Sequence, residues 1–122
     1  MAVWYFLNFE TEQYISSKKI KDDEWESIVL QILFTLITYQ KVFHFTHNDL
    51  HTNNIVYVST EKKYLYYKFN NSHYKVPTFG KIYKIIDFGR SIYKYKGKTF
   101  STPTPEATRR TVKVAPASLP CL

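Results

Sequence analysis

Glycine is scarce: the 122 residues hold three, Gly80, Gly89 and Gly97, all late in the chain. No Gly-x-Gly-x-x-Gly run can be assembled from them, so the sequence has no glycine-rich loop of the kind that cradles phosphates. Cysteine is scarcer still. The one thiol, Cys121, excludes a disulfide framework and a thiolate zinc site, and fits a reducing compartment. Long apolar runs are missing too. Ala2 to Leu7 is too short to span a bilayer, and no basic n-region or cleavage site accompanies it. The expected location is intracellular, away from membranes.

Acids are also thin in the second half. Residues 62–98 carry ten basic residues against one acid, Asp87, whereas residues 1–26 carry six acids against three lysines. The net charge is +7. A basic block suits nucleic acid, an anionic surface, a phosphate-bearing ligand, or merely solvent. A solvated lysine face is the favoured account, and nucleic acid the less favoured one.

What the chain has in quantity is apolar and aromatic material, 44% and 18%, enough for a small core. Its distribution is uneven: all 22 aromatic residues lie in the first 100 positions. The last 22 residues hold four of the five prolines and two of the three arginines. Such a Pro/Thr/Ala mixture does not bury enough apolar surface to fold alone, so 101–122 reads as a disordered tail. A shift of reading frame near codon 100 would produce the same switch in composition. Residues 1–21 form an N-terminal segment of uncertain register, and 22–100 the folded part.

Within 22–100, Trp25, Ile28, Val29, Ile32, Leu33, Leu36 and Ile37 recur at helical spacing and predict an amphipathic helix to about Gln40, with that face in the core. Asp22 or Asp23 is the expected cap, with Glu26 reaching back from the first turn. A polar loop, His47–Asn54, follows. Strands are predicted over Ile55–Val58, Lys63–Phe69, His73–Val76 and Lys81–Ile86, with Asn70-Asn71-Ser72 as a turn. The fold class is α+β.

The polar loop carries the chemistry. Asp49 and Asn54, five apart between helix and strand, can converge on one point. Asp87 ends a strand and precedes Phe88-Gly89, where glycine lets the backbone turn away. Two carboxylates and an amide oxygen are hard donors, suited to magnesium and a hydroxyl proton rather than zinc.

His47-Asn-Asp-Leu-x-x-x-Asn54 followed by Asp87-Phe-Gly89 resembles the paired signature of the protein-kinase superfamily. Thr46–Ile55, Lys84–Ser91 and the Tyr/Lys-rich connection between them look most like the protein kinases of giant, mimivirus-like DNA viruses, covering part of a C-lobe. The resemblance implies transfer of the ATP γ-phosphoryl to a protein hydroxyl, with Asp49 as proton acceptor and Asn54 and Asp87 holding Mg2+. It also implies that His51, Phe88 and Gly89 lie against the cofactor, and that His47 and Phe88 pack the two motifs together. A viral source would place the chain in host cytoplasm or virion.

Three departures bear on function. Asn48 stands where many protein kinases have the arginine that pairs with a phosphorylated activation loop. His51 stands where many have lysine, and Asp-Leu-His-x-x-Asn is also similar to aminoglycoside- and choline-type kinases of small hydroxyl substrates. The 32 residues between Asn54 and Asp87 imply an insertion at about 63–80, read as an extended hairpin. No glycine-rich loop, strand lysine or Ala-Pro-Glu segment accompanies the motifs. This chain alone is therefore expected to be a truncated, inactive fragment. A non-catalytic basic binding module is the reading from a different class.

Overall fold

The computed structural model describes residues 11, 13–17 and 19–101, and the account below concerns these alone. The expectations for 102–122 lie outside them. The architecture is α+β. Helix α1 (Asp22–Phe43) is followed by β1 (Ile55–Ser59), β2 (Tyr64–Phe69), β3 (Ser72–Pro77), β4 (Lys81–Ile85), β5 (Ile92–Tyr95) and β6 (Lys98–Ser101). A short helical stretch at 13–16 precedes α1.

The start of α1 differs from expectation. Lys21 holds the cap position with no side-chain hydrogen bond, and the Asp23 carboxylate accepts only from the adjacent Glu24 N–H, at 3.0 Å. Asp22, Asp23 and Glu24 instead occupy the first turn, where their charge favours the helix dipole. The helix also runs three residues beyond Gln40. It stops where His44 turns left-handed (φ 47°) and donates its N–H to the Gln40 carbonyl.

Its buried face is also corrected. Ile28 and Phe34 are buried as apolar residues, but Ser27 and Gln31 are buried beside them, while Trp25, Val29 and Leu33 are exposed. The physical reason is hydrogen bonding. The Ser27 hydroxyl donates to the Pro77 carbonyl. Gln31 donates to the Lys81 carbonyl (3.3 Å) and accepts the Tyr83 N–H (2.9 Å), serving the edge of β4 as a neighbouring strand would. On the other edge of the ribbon, Thr11 Oγ1 accepts the Tyr57 N–H (3.2 Å).

Three antiparallel pairs make up the β structure: β1 with β4, β2 with β3, and β5 with β6. The β1–β4 register runs from Ile55↔Ile85 to Ser59↔Lys81, so β2 and β3 form a hairpin inserted between paired strands. Asn70 (φ 48°) and Asn71 (φ 63°) make its turn, as asparagine tolerates the left-handed region. Its inner face rests on α1, with Phe34 stacked on Tyr67 (4.3 Å between centroids) and tilted against Tyr74 (5.1 Å). A small core of Ile20, Ile28, Ile55 and Tyr83 lies between α1 and the β1–β4 ribbon. Each such side chain contributes roughly 1.5–3 kcal/mol when fully buried.

Candidate active site

The loop from Phe45 to Asn54 is fixed from both ends. Phe45 is buried and meets Tyr39 and Phe88 edge-on, at 5.3 and 5.7 Å. Thr46 and Ile92 exchange both backbone hydrogen bonds, at 2.8 and 2.9 Å, tying the loop to the segment after Asp87-Phe88-Gly89. At the other end the short 3-10 turn Thr52–Asn54 feeds directly into β1.

His47 is the hinge pin between the motifs. It is buried, and its Nδ1 accepts the Asp49 N–H at 3.3 Å. The hydrogen therefore sits on Nε2, which donates to the Ile86 carbonyl at 2.9 Å. Asn54 makes the second link. Its amide nitrogen donates to the Asp49 carbonyl (2.8 Å) and faces His51 Nε2 (3.1 Å), while its own carbonyl accepts the Ile86 N–H (2.9 Å). Because a carbonyl can only accept, the amide is oriented with Nδ2 inward, and Oδ1 is its acceptor end. Asp49, Asn54 and the residue before Asp87 thus belong to one hydrogen-bond web.

Asp87 makes the turn that had been expected of the glycine. Its own φ is 58°, and its carboxylate accepts the Gly89 N–H at 3.2 Å. A Cβ on Gly89 would approach that oxygen to 3.2 Å, so the glycine's role is to leave the carboxylate room. Phe88 packs among Tyr39, Phe45 and His47. His51 turns its ring toward Asn54, within the loop.

Two residues were given no role in the sequence. Arg90 Nη1 lies 3.4 Å from the Asp49 carboxylate, and its carbonyl accepts the Asn48 side-chain amide at 3.0 Å. Asn48 can make that contact because it is left-handed, at φ 64°. Ser91 is buried and returns its hydroxyl to the Phe88 carbonyl (2.6 Å). Their immediate succession to Asp87-Phe88-Gly89 was the available signal.

Two hollows flank Phe88. One of about 320 Å³ is lined by Tyr39, Phe43, Phe45, Phe88, Tyr93 and Tyr95. The other, about 450 Å³, runs along Lys84 to Phe88 and borders Asp87. Among the described residues no three His, Cys, Asp or Glu side chains gather as a metal site. The donors at hand are Asn54 Oδ1 and the Asp87 carboxylate. That set fits Mg2+, which takes one or two protein oxygens and completes its shell with water and nucleotide phosphates.

No protein-family profile matches the chain. Individual curated proteins do. The chain is 38% identical over 77 residues to a probable serine/threonine-protein kinase of Dictyostelium discoideum, covering 58% of this chain. It is 31% identical over 86 residues to a probable kinase of Invertebrate iridescent virus 3, covering 70% of this chain. It is 36% identical over 63 residues to the serine/threonine-protein kinase haspin of Bos taurus, covering 52%. The chain spans 6%, 16% and 8% of the length of these relatives, respectively. Over that short part of their length, this chain is similar to proteins named as kinases, serine/threonine-protein kinases in two of the three.

Proposed function

We propose that the chain carries the catalytic loop and metal-binding segment of a protein-kinase-like phosphotransferase acting on a serine- or threonine-type hydroxyl. The observation that supports this most is the double link of Asn54, by its side chain to Asp49 and by its carbonyl to Ile86. In this reading Asp49 accepts the proton of the attacking hydroxyl as its oxygen bonds to the γ-phosphorus and the bond to the β-phosphate oxygen breaks. Asn54 Oδ1 and Asp87 are the ligands for Mg2+, which when bound neutralises phosphate charge. His47 and Phe88 hold the two segments in register. Arg90 must release or share Asp49 before a hydroxyl can approach.

The chain on its own is proposed to transfer little or no phosphate, because positioning supplies most of the catalysis and no glycine-rich loop is present to position ATP. The finer likeness to kinases of giant DNA viruses rests on Thr46–Ile55 and Lys84–Ser91, and the iridescent-virus relative is in keeping with it.

The test is magnetic resonance with Mn2+ and ATP in place of Mg2+ and ATP. Paramagnetic broadening is expected at the amides of Asn54, Asp87 and Gly89, and Asp87→Asn should abolish it. Broadening centred elsewhere, or indifferent to that substitution, would overturn the assignment.

A further inference from the structure

Alternation along β2 and β3 sorts their side chains into two unlike faces. Leu65, Tyr67 and Val76 turn inward, Tyr67 onto Phe34 of α1. Tyr64, Tyr66 and Lys68 turn outward, opposite Pro77, Lys75 and His73. The outer face is therefore two tyrosine rings interleaved with two lysines and a histidine. Tyr66 is 73% exposed, and Lys75 Nζ lies 4.0 Å from the centre of the Tyr64 ring.

The charge is one-sided. From Lys62 to Lys84 there are six lysines and no acid. Among the described residues only one of these, Lys81, has a carboxylate within ion-pair distance, that of Glu24. Among the described residues the other five lysines have no carboxylate at that distance.

We propose that this outer hairpin face is a docking surface for a single-stranded nucleic acid. Tyr66 is the open ring that can receive a base, while Lys68, two residues along the strand and roughly 6.8 Å away, and Lys75, which caps the Tyr64 ring, meet the phosphates. An acidic protein segment would be served by the lysines alone and would leave the open Tyr66 ring without a use. The inference does not depend on the phosphotransferase reading. It also reverses the preference for a merely solvated lysine face, because the structure gathers the rings and the cations on one side.

Fluorescence anisotropy of the full chain with a labelled 12-nucleotide oligouridylate tests it. Micromolar binding at 50 mM salt is expected, weakening as salt rises with a log–log slope near −0.7 for each phosphate neutralised. Tyr66→Ala should weaken binding about five-fold or more. Lys68→Ala with Lys75→Ala should weaken it further and flatten the slope by about 1.4. All these positions are exposed, and unchanged circular dichroism shows that the variants remain folded. The proposal falls if no binding occurs or if Tyr66→Ala binds as the parent does. It falls equally if a 12-residue oligoglutamate or a duplex of the same length binds as tightly, the former pointing to an acidic protein partner.

Discussion

The side-chain carbonyl of Gln31 accepts the backbone N–H of Tyr83 at 2.9 Å, across 52 residues of sequence and inside the core. With its amide on the Lys81 carbonyl, this one side chain closes the open edge of β4. Gln31→Ala leaves the buried Tyr83 N–H and the half-buried Lys81 carbonyl without that partner. Each such loss costs about 1–3 kcal/mol, so unfolding in urea should show a drop of about 2–4 kcal/mol.

Tyr83 presents the opposite case. Its ring is in the core, yet its hydroxyl is buried with no partner among the described residues. Tyr83→Phe removes the orphan oxygen while keeping the ring, and should raise stability by about 1 kcal/mol in the same urea assay.

High pH should unfold the chain. Burial raises the Tyr83 hydroxyl well above the ordinary tyrosine value of 10.0, aided by the charges of Tyr14, Glu24 and Tyr57. Burial also raises Tyr67, and raises Tyr14 together with its hydrogen bond to Glu24. For Lys81 burial works downward, but the hydrogen bonds and charges of Tyr14 and Glu24 outweigh it and the net direction is up. All four groups hold their protons longer folded than unfolded. Their stabilisation is complete below about pH 10 and is lost as pH climbs toward the folded values. Melting temperature should be flat from pH 7 to 9 and fall beyond 10, less steeply in Tyr83→Phe.

Two of the contacts that join the motifs should differ sharply in weight. His47 is buried and bonds to Ile86 and Asp49, so His47→Ala should cost about 2–3 kcal/mol. The Arg90 side chain is 64% exposed, and its ion pair with Asp49 is long. Arg90→Ala should alter stability by less than about 0.5 kcal/mol. Equal losses in the two variants would contradict this.

Calorimetry with Mg2+ and ATP should show millimolar binding at best, about −4 kcal/mol. Clear micromolar binding would mean that the described residues make a fuller nucleotide site than their donors suggest.

Much of this was legible in the sequence. The four strands from Ile55 to Ile85 stand within a residue or so of their predicted bounds, because β-branched and aromatic runs were separated by Asn-Asn and Phe-Gly turns. The loop residues Asp49 and Asn54 do lie in one web with the strand leading to Asp87. Helix α1 was harder. Periodicity scores apolar residues, and Ser27 and Gln31 are buried for hydrogen bonds instead, which rotates the buried face away from Trp25, Val29 and Leu33. The β5–β6 hairpin turns at Lys96-Gly97, both left-handed, but its two strands of four exposed residues bury no side chain that a pattern could reveal. Arg90 was invisible because its contact with Asp49 depends on the chain returning through Ile92 to Thr46.

The pairing of β1 with β4 has a consequence for how such a chain can change. Ser59 and Lys81 face one another across the ladder, so everything from residue 60 to 80 leaves and re-enters at the same doorway. The span from 60 to 80 is then a side branch rather than a spacer. Its length can drift, and its outer face can take on new work, while the two motifs at its root keep their alignment.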